Sequence, residues 1–222
     1  MFLDGYGLEL LRGAVITLQV AFTSAAIGIV LGILGAAAKL SHRAWLSRPV
    51  DLLTMLLRGV PEFLILLIVY FGLSQVFAAV DIEIDISPFT GGVTALSVVF
   101  GSYASEVFRG AFLAVPHGQL EAARAFGMRP IHTFWRIHLP QAWRFALPSL
   151  NNMWQNTLKD TALVSLLGLE ELLHRANAAA QVTKHPFNFM VAAGAIYFLY
   201  LALSNPVFAY LERRARRGLA RA

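Results

Sequence analysis

The chain has 222 residues, of which 57% are hydrophobic and only 14% are charged, and it contains no cysteine. Its 18 Lys and Arg exceed its 13 Asp and Glu, for a formal net charge of +5. The uncharged runs are longer than a soluble core helix needs, which excludes an ordinary water-soluble protein and indicates an all-α, polytopic membrane protein that forms one domain over residues 1–222.

The apolar segments predict five membrane-spanning helices. A spanning helix needs about 20 mainly apolar residues, and five segments reach or approach that length. The predicted spans are residues 13–38, 50–80, 86–114, 145–169 and 186–211.

The basic residues predict the orientation of these spans. Of the Lys and Arg residues, four lie in 39–58, five in 109–144 and five in 213–221, which are on one side of a five-span arrangement. The positive-inside rule makes that side the cytoplasm, with the N-terminus periplasmic and the C-terminus cytoplasmic. The opposite loop, 81–85, has three acids and no base. Because the basic run at 213–217 is typical of a membrane-surface anchor, we expect no nucleic acid partner.

The first span carries Gly28 and Gly32, which are four residues apart. This small-xxx-small pattern lets another helix approach closely, so it predicts a packing face. A pore-lining role for the two glycines is the alternative.

The second span contains the sequence Arg58-Gly59-Val60-Pro61-Glu62. Proline removes a backbone donor, so we predict a kink or break near Gly59. A carboxylate near mid-span is costly unless it is paired or hydrated. Glu62 is therefore either part of a polar pathway, where it would favour a cationic solute, or a partner of Arg58 on the same helical face.

The third span ends with Glu106 and Arg109, three residues apart. This spacing predicts an internal ion pair. Glu106 is also a candidate solute-binding residue, because an ionisable group at membrane depth is a functional hypothesis by default.

The basic loop at 116–140 contains one short predicted helix, at 119–126. Pro116 and Gly118 end the preceding helix, and Gly127 is suited to a left-handed cap. Glu121 can pair with Arg124, three residues on. A helix of about two turns is marginal alone, so we expect it to dock against a partner.

The fourth span is unusually polar at 151–161. Such a run must face protein or water rather than lipid. Asn152, Gln155 and Asp160 are predicted to form one polar stripe. The stripe lines a solute path, or it joins two membrane subunits. The following segment, 168–185, is predicted to be an outer loop with a short surface helix, either a contact for an external protein or a seal at the membrane edge.

Several catalytic signatures are missing from the sequence. It has no Gly-x4-Gly-Lys-Ser/Thr, so we expect ATP to be bound by another polypeptide. It also has no His-Glu-x-x-His or Gly-x-Ser-x-Gly, so we expect no metal site and no catalytic residue.

The loop also carries a recognisable pattern, E-A-A-x3-G-x9-I-x-L-P. It resembles the loop of the permease subunits of bacterial ABC importers at every fixed position: Glu121, Ala122, Ala123, Gly127, Ile137, Leu139 and Pro140. Arg-Gly-x-Pro at 58–61 and Leu-Lys-Asp-Thr-x-Leu-Val-Ser at 158–165 are similar to the polar amino-acid permeases, especially those for histidine, lysine, arginine and ornithine. The chain departs from that pattern at Glu62, because an apolar residue often follows this proline.

The resemblance implies a type I ABC importer permease fold in a bacterial inner membrane, with alternating access driven by ATP. It implies that Glu121, Ala122, Ala123 and Gly127 couple the chain to an ATPase subunit. The expected partners are two ATPases that bind ATP and Mg²⁺, a second permease that is identical or paralogous, a periplasmic solute-binding protein and the lipid bilayer. The expected substrate is a polar, cationic amino acid such as arginine, histidine, lysine or ornithine, or a related opine. Neutral or acidic amino acids are the alternative substrates, and a passive channel or a membrane enzyme are alternatives from other classes.

Overall fold

A computed structural model describes residues 5–79 and 86–216. Within these residues every regular element is helical, and a π-helix and a 3-10 helix flank the seventh α-helix. The helices are α1 (Gly7–Lys39), α2 (Ala44–Gly59), α3 (Glu62–Ala79), α4 (Pro88–Leu113), α5 (His117–Ala125), α6 (Pro130–Thr133), the π-helix (Phe134–His138), α7 (Leu139–Asp160), the 3-10 helix (Thr161–Leu167), α8 (Leu172–Thr183) and α9 (Pro186–Ala215).

Helices α1 and α4 pack closely against each other. A Cβ atom on Gly28 would lie 2.6 Å from the Phe100 ring, and one on Gly32 would lie 2.3 Å from the Ala104 Cβ. Only glycine allows this approach, so the predicted packing role of the two glycines is confirmed. The main apolar core lies along this contact and includes Phe100 together with Trp154 of α7.

The second predicted span is two helices. α2 ends at Gly59, α3 begins at Glu62, and their axes are bent by 115°. The predicted break is confirmed, and its cause is Pro61, which cannot donate a backbone hydrogen bond to the preceding turn. The two halves therefore leave the break in very different directions.

Helix α8 is packed against α1 and α9 by one face. Its N-cap residue, Glu171, is fully buried and accepts hydrogen bonds from the Thr17 hydroxyl (3.2 Å), the Tyr197 hydroxyl (3.0 Å) and the His174 backbone N–H (2.8 Å). Leu172 is also fully buried. The predicted helix in this segment is present, but it is half buried rather than a free surface helix.

Length and hydropathy single out α1 and α9 as helices able to cross a membrane, among the residues described. Counting the bent pairs α2–α3 and α4–α5 as one span each gives up to four. α7 is long enough but not apolar enough to be counted, because its second half is rich in Asn, Gln, Lys and Asp. The predicted acidic outer loop, 81–85, and the end of the basic tail, 217–222, lie outside the described residues.

Candidate functional site

A cavity of about 150 Å³ lies between α3, α4 and α7. Its polar wall consists of Glu62, Tyr103, Asn156, Thr157 and Asp160, and the rest of its wall is apolar. A small cavity in which several polar groups converge on an apolar surface is typical of a binding site for a small polar molecule.

The cavity wall follows from helical spacing on α7. Asp160 follows Asn156 by four residues and Thr157 by three. These spacings place the three side chains on one face of the helix. Glu62 joins them from α3. The helix break at Pro61 makes Glu62 the first residue of this helix. Tyr103 completes the polar wall from α4.

Glu62 and Asp160 both line the cavity, and their carboxylates are close enough to interact electrostatically. Two carboxylates this close repel each other unless they share a proton or a cation. Asp160 is half buried, which strengthens that requirement. The site is therefore suited to a positively charged group.

The alternative partner predicted for Glu62 is engaged elsewhere. Arg58 Nη2 lies 3.5 Å from Glu106 Oε1, and the structure gives no ion pair between Arg58 and Glu62, both of which are among the described residues. The expected pairing assumed one continuous helix with the two residues on the same face. The 115° bend between them removes that premise.

Glu106 contacts basic side chains and does not line the cavity. Its Oε2 accepts hydrogen bonds from Arg109 Nε (2.9 Å) and Nη2 (2.8 Å), so the predicted Glu106–Arg109 ion pair is present. Its Oε1 accepts one from Lys39 Nζ at 2.5 Å, and the Lys39 side chain is only 1% exposed. These contacts favour a structural role for Glu106 over solute binding in this conformation.

The predicted polar stripe on α7 is divided between two faces. Asp160 lines the cavity, whereas Gln155 donates to Asn151 (3.3 Å) and to Asn205 of α9 (3.0 Å). Asn152 is exposed and is not part of the cavity wall. Gln155 and Asp160 are five residues apart, which separates them by about 140° around a helix, whereas Asn156 lies only about 40° from Asp160.

Sequence reasoning therefore missed three polar wall residues: Tyr103, Asn156 and Thr157. The signal for two of them was present, because Asn156 and Thr157 precede Asp160 by four and three residues. Nothing in the sequence places Tyr103 opposite them.

The short helix of the basic loop is α5, which has nine residues. It ends in a Schellman motif: the Gly127 N–H donates to the Arg124 carbonyl (2.9 Å) and the Met128 N–H to the Ala123 carbonyl (3.0 Å). Gly127 has a φ of 71°, so the predicted left-handed cap is confirmed.

Helix α5 protrudes from the bundle. Ala123 is its only buried residue, while Glu121 and Ala122 are exposed. The predicted pairing of Glu121 with Arg124 is not among the ion pairs of the described residues. Just after the helix, the Phe126 side chain is 87% exposed, an unusual position for an aromatic ring in a loop.

The base of the loop is fixed to the end of α4. His138 Nε2 lies 3.1 Å from the Phe112 carbonyl oxygen, and the Phe112 and Phe134 rings stack with centroids 6.0 Å apart. A π-helix at Phe134–His138 precedes α7, where Pro140 cannot donate a normal helical hydrogen bond. These contacts connect the end of the loop to α4, and the π-helix continues directly into α7.

Metal binding has no candidate among the residues described, since no three His, Asp or Glu side chains lie together there as a metal site requires.

Comparison with known proteins gives consistent matches over nearly the whole chain. The family described as "Binding-protein-dependent transport system inner membrane component" matches residues 28–217. The octopine transport system permease protein OccQ of Rhizobium radiobacter is 43% identical over 98% of this chain and 94% of its own length. The histidine/lysine/arginine/ornithine transport system permease protein HisQ of Escherichia coli is 40% identical over 99% of both chains.

The solved structures give the same result. The chain resembles one in the crystal structure of an amino acid ABC transporter with a TM-score of 0.83 and 32% identity, over 94% of this chain and 95% of that one. A chain of the MetNI methionine ABC transporter has a TM-score of 0.78 over 96% of this chain and 99% of its own, and at 19% identity it bears on the fold alone. The fold is that of ABC importer permeases.

Proposed function

The chain belongs to the family of inner membrane components of binding-protein-dependent transport systems, and from this membership we propose that it forms half of an ATP-driven import pathway for cationic amino acids. The observation that carries the proposal is the meeting of Glu62 and Asp160 in one cavity. Transport permeases of this family are not enzymes, so the cavity serves passage and not chemistry.

The substrate class rests on charge. A guanidinium or ammonium group can satisfy both carboxylates at once through charge-assisted hydrogen bonds, which are about twice as strong as neutral ones. The names of HisQ and OccQ point to basic amino acids and to octopine. Neutral amino acids would leave the carboxylates unpaired, and acidic ones would add repulsion, so both are the less favoured substrates.

The proposed membrane arrangement has five spans: α1, the bent pair α2–α3, α4, α7 with its 3-10 extension, and α9, within one type I permease domain of 222 residues. Support for including α7 comes from Asn156, Thr157 and Asp160, which line the cavity and therefore need not face lipid. The excess of Lys and Arg supports a periplasmic N-terminus and a cytoplasmic C-terminus.

Helix α5 is proposed to dock in a cleft of an ATPase subunit. The helix exposes Glu121 and the small side chain of Ala122, so a partner can approach it closely. The exposed Phe126 ring beside it provides an apolar contact. ATP and Mg²⁺ would be held by two such ATPases, and this chain would work with a second permease, identical or paralogous, and a periplasmic solute-binding protein. A passive channel would have no use for this exposed helix, which argues against that function.

The proposed mechanism is alternating access. Closure of the ATPases would move α5, and the contacts of His138 and Phe134 with Phe112 would pass that movement to α4 and α7. Because these two helices form much of the cavity wall, the cavity would change the side to which it opens.

The test compares arginine with citrulline, which has the same shape but a neutral end group. Replacing Glu62→Gln or Asp160→Asn should lower the ratio of arginine to citrulline uptake by about tenfold, since a charge-assisted hydrogen bond contributes about 1.5 kcal/mol or more. Uptake is measured in proteoliposomes containing the complete transporter and its binding protein, so that recognition by the binding protein is the same throughout.

The matched control is Glu170→Gln. Glu170 is an exposed carboxylate outside the cavity that pairs with Arg175 at 2.8 Å, and its replacement should leave the ratio unchanged. If both cavity variants transport arginine and citrulline in the wild-type ratio, the two carboxylates do not select the solute.

A further inference from the structure

Helix α2 is held to the rest of the chain by charges more than by apolar packing. Thr54 is its only buried residue, and the Thr54 hydroxyl bonds to the carbonyl of Val50 in its own helix. Two ion pairs connect α2 to other helices: Asp51 with Lys39 at 3.6 Å and Arg58 with Glu106 at 3.5 Å. An element with little buried apolar surface is one that can move separately.

The three cations around Glu106 are bound unequally. Arg109 lies on the same helix and makes two short contacts, and Lys39 makes a short contact from a buried position. Arg58 makes one contact at the distance limit of a hydrogen bond, and its side chain is 32% exposed. A long, exposed ion pair costs little to break. The Arg58 contact is therefore the one that can open while Glu106 stays neutralised.

Each residue of this ion pair is close in the chain to a residue that lines the cavity. Arg58 precedes Glu62 by four residues across the break at Pro61, so rotation of this joint moves both side chains. Glu106 follows Tyr103 by three residues on α4, one helical turn further toward Leu113 and the basic loop. The Arg58–Glu106 pair thus lies beyond the cavity on the side proposed to be cytoplasmic.

We propose that the ion pair between Arg58 and Glu106 is a latch on the cytoplasmic side of the cavity. When the latch is closed, it holds the end of α2 against α4 on the cytoplasmic side of the cavity. Opening it frees the joint at Pro61, and the same movement withdraws Glu62 from Asp160 and releases the bound cation. Arg58 acts here as a positioning residue through Glu62, and the inference rests on the orientation in the proposed function.

The test is cross-linking in the complete transporter, to which this chain contributes no cysteine other than those introduced. The double variant Arg58→Cys/Glu106→Cys is treated with a short bis-methanethiosulfonate linker, once without nucleotide and once after trapping of the ATPases with ATP and vanadate. A latch predicts that the cross-linking yield differs between the two states by about fivefold or more, the ratio that about 1 kcal/mol of conformational preference produces.

The matched control is Arg109→Cys/Glu106→Cys, which loses the same carboxylate but places both thiols on α4. Its yield should be the same in both states. Equal yields for the Arg58 pair as well would show a static structural contact and overturn the latch. This readout follows the position of α2 and not the identity of the solute, so it can fail or succeed independently of the arginine-to-citrulline test.

A second measurement uses Arg58→Gln, with Arg109→Gln as its control. Loss of the latch should raise ATP hydrolysis in the absence of binding protein by up to about fivefold. The reason is that the state in which the latch is closed loses one contact between helices. The Arg109 variant loses a contact within one helix and should not show the increase. Equal rates of hydrolysis in the two variants would count against a latch.

Discussion

Gly127 forms the left-handed cap that ends α5 in the basic loop. Its φ of 71° is a conformation that costs other residues about 1–2 kcal/mol. A Cβ atom at this position would meet nothing within 4 Å, so the cost of Gly127→Ala would come from the backbone alone. We expect this variant to reduce arginine uptake and co-purification of the ATPase by about 5- to 30-fold.

Gly118 provides the matched control, because it lies in α5, the helix that Gly127 caps, has open space around it and does not have a positive φ. Alanine is favoured over glycine within a helix by about 1 kcal/mol, so Gly118→Ala should leave uptake intact. If the two variants behave alike, the left-handed cap does not matter for docking.

At the scale of elements, the contact between α1 and α4 sets the position of the cavity wall. Gly32→Ala would place a Cβ atom 2.3 Å from that of Ala104, and the two helices would have to separate. Overpacking of this kind costs about 1–3 kcal/mol, so the thermal unfolding midpoint of the purified transporter should fall by several degrees.

Gly72→Ala is the corresponding control in α3. No atom lies within 4 Å of a Cβ at Gly72, and the variant should unfold at the wild-type temperature or slightly above it. A midpoint for Gly32→Ala that matches this control would mean that α1 and α4 can separate without cost.

At the scale of the whole molecule, the proposed five-span arrangement predicts that α8 is periplasmic and that the α1–α2 connection is cytoplasmic. Asn177 is exposed on α8 and His42 is exposed in that connection, and the chain has no other thiol to interfere with labelling. In spheroplasts, a membrane-impermeant maleimide should label Asn177→Cys from outside and His42→Cys only after permeabilisation. The reverse pattern, or labelling of both from outside, would contradict the orientation.

Much of the local structure could be predicted from the sequence, since its signals are short-range. The break at Pro61, the cap at Gly127 and the close approach at Gly28 each follow from the steric properties of one residue. The E-A-A-x3-G-x9-I-x-L-P pattern of the loop likewise identifies the family from sequence alone, and the matches to known permeases bear that identification out.

The tertiary structure decided which polar groups meet. A helical wheel drawn on one continuous span pairs Arg58 with Glu62, but the two residues belong to helices bent by 115°. Glu106, predicted both as an ion-pair partner and as a solute ligand, has Arg109 and Lys39 as its nearest partners. The sequence by itself determined that this chain is a membrane permease whose basic loop carries the family motif, because hydropathy, charge and loop motif are properties of short segments. Only the three-dimensional fold brought Glu62 to Asp160, because their contact joins residues almost one hundred positions apart and depends on how three helices pack.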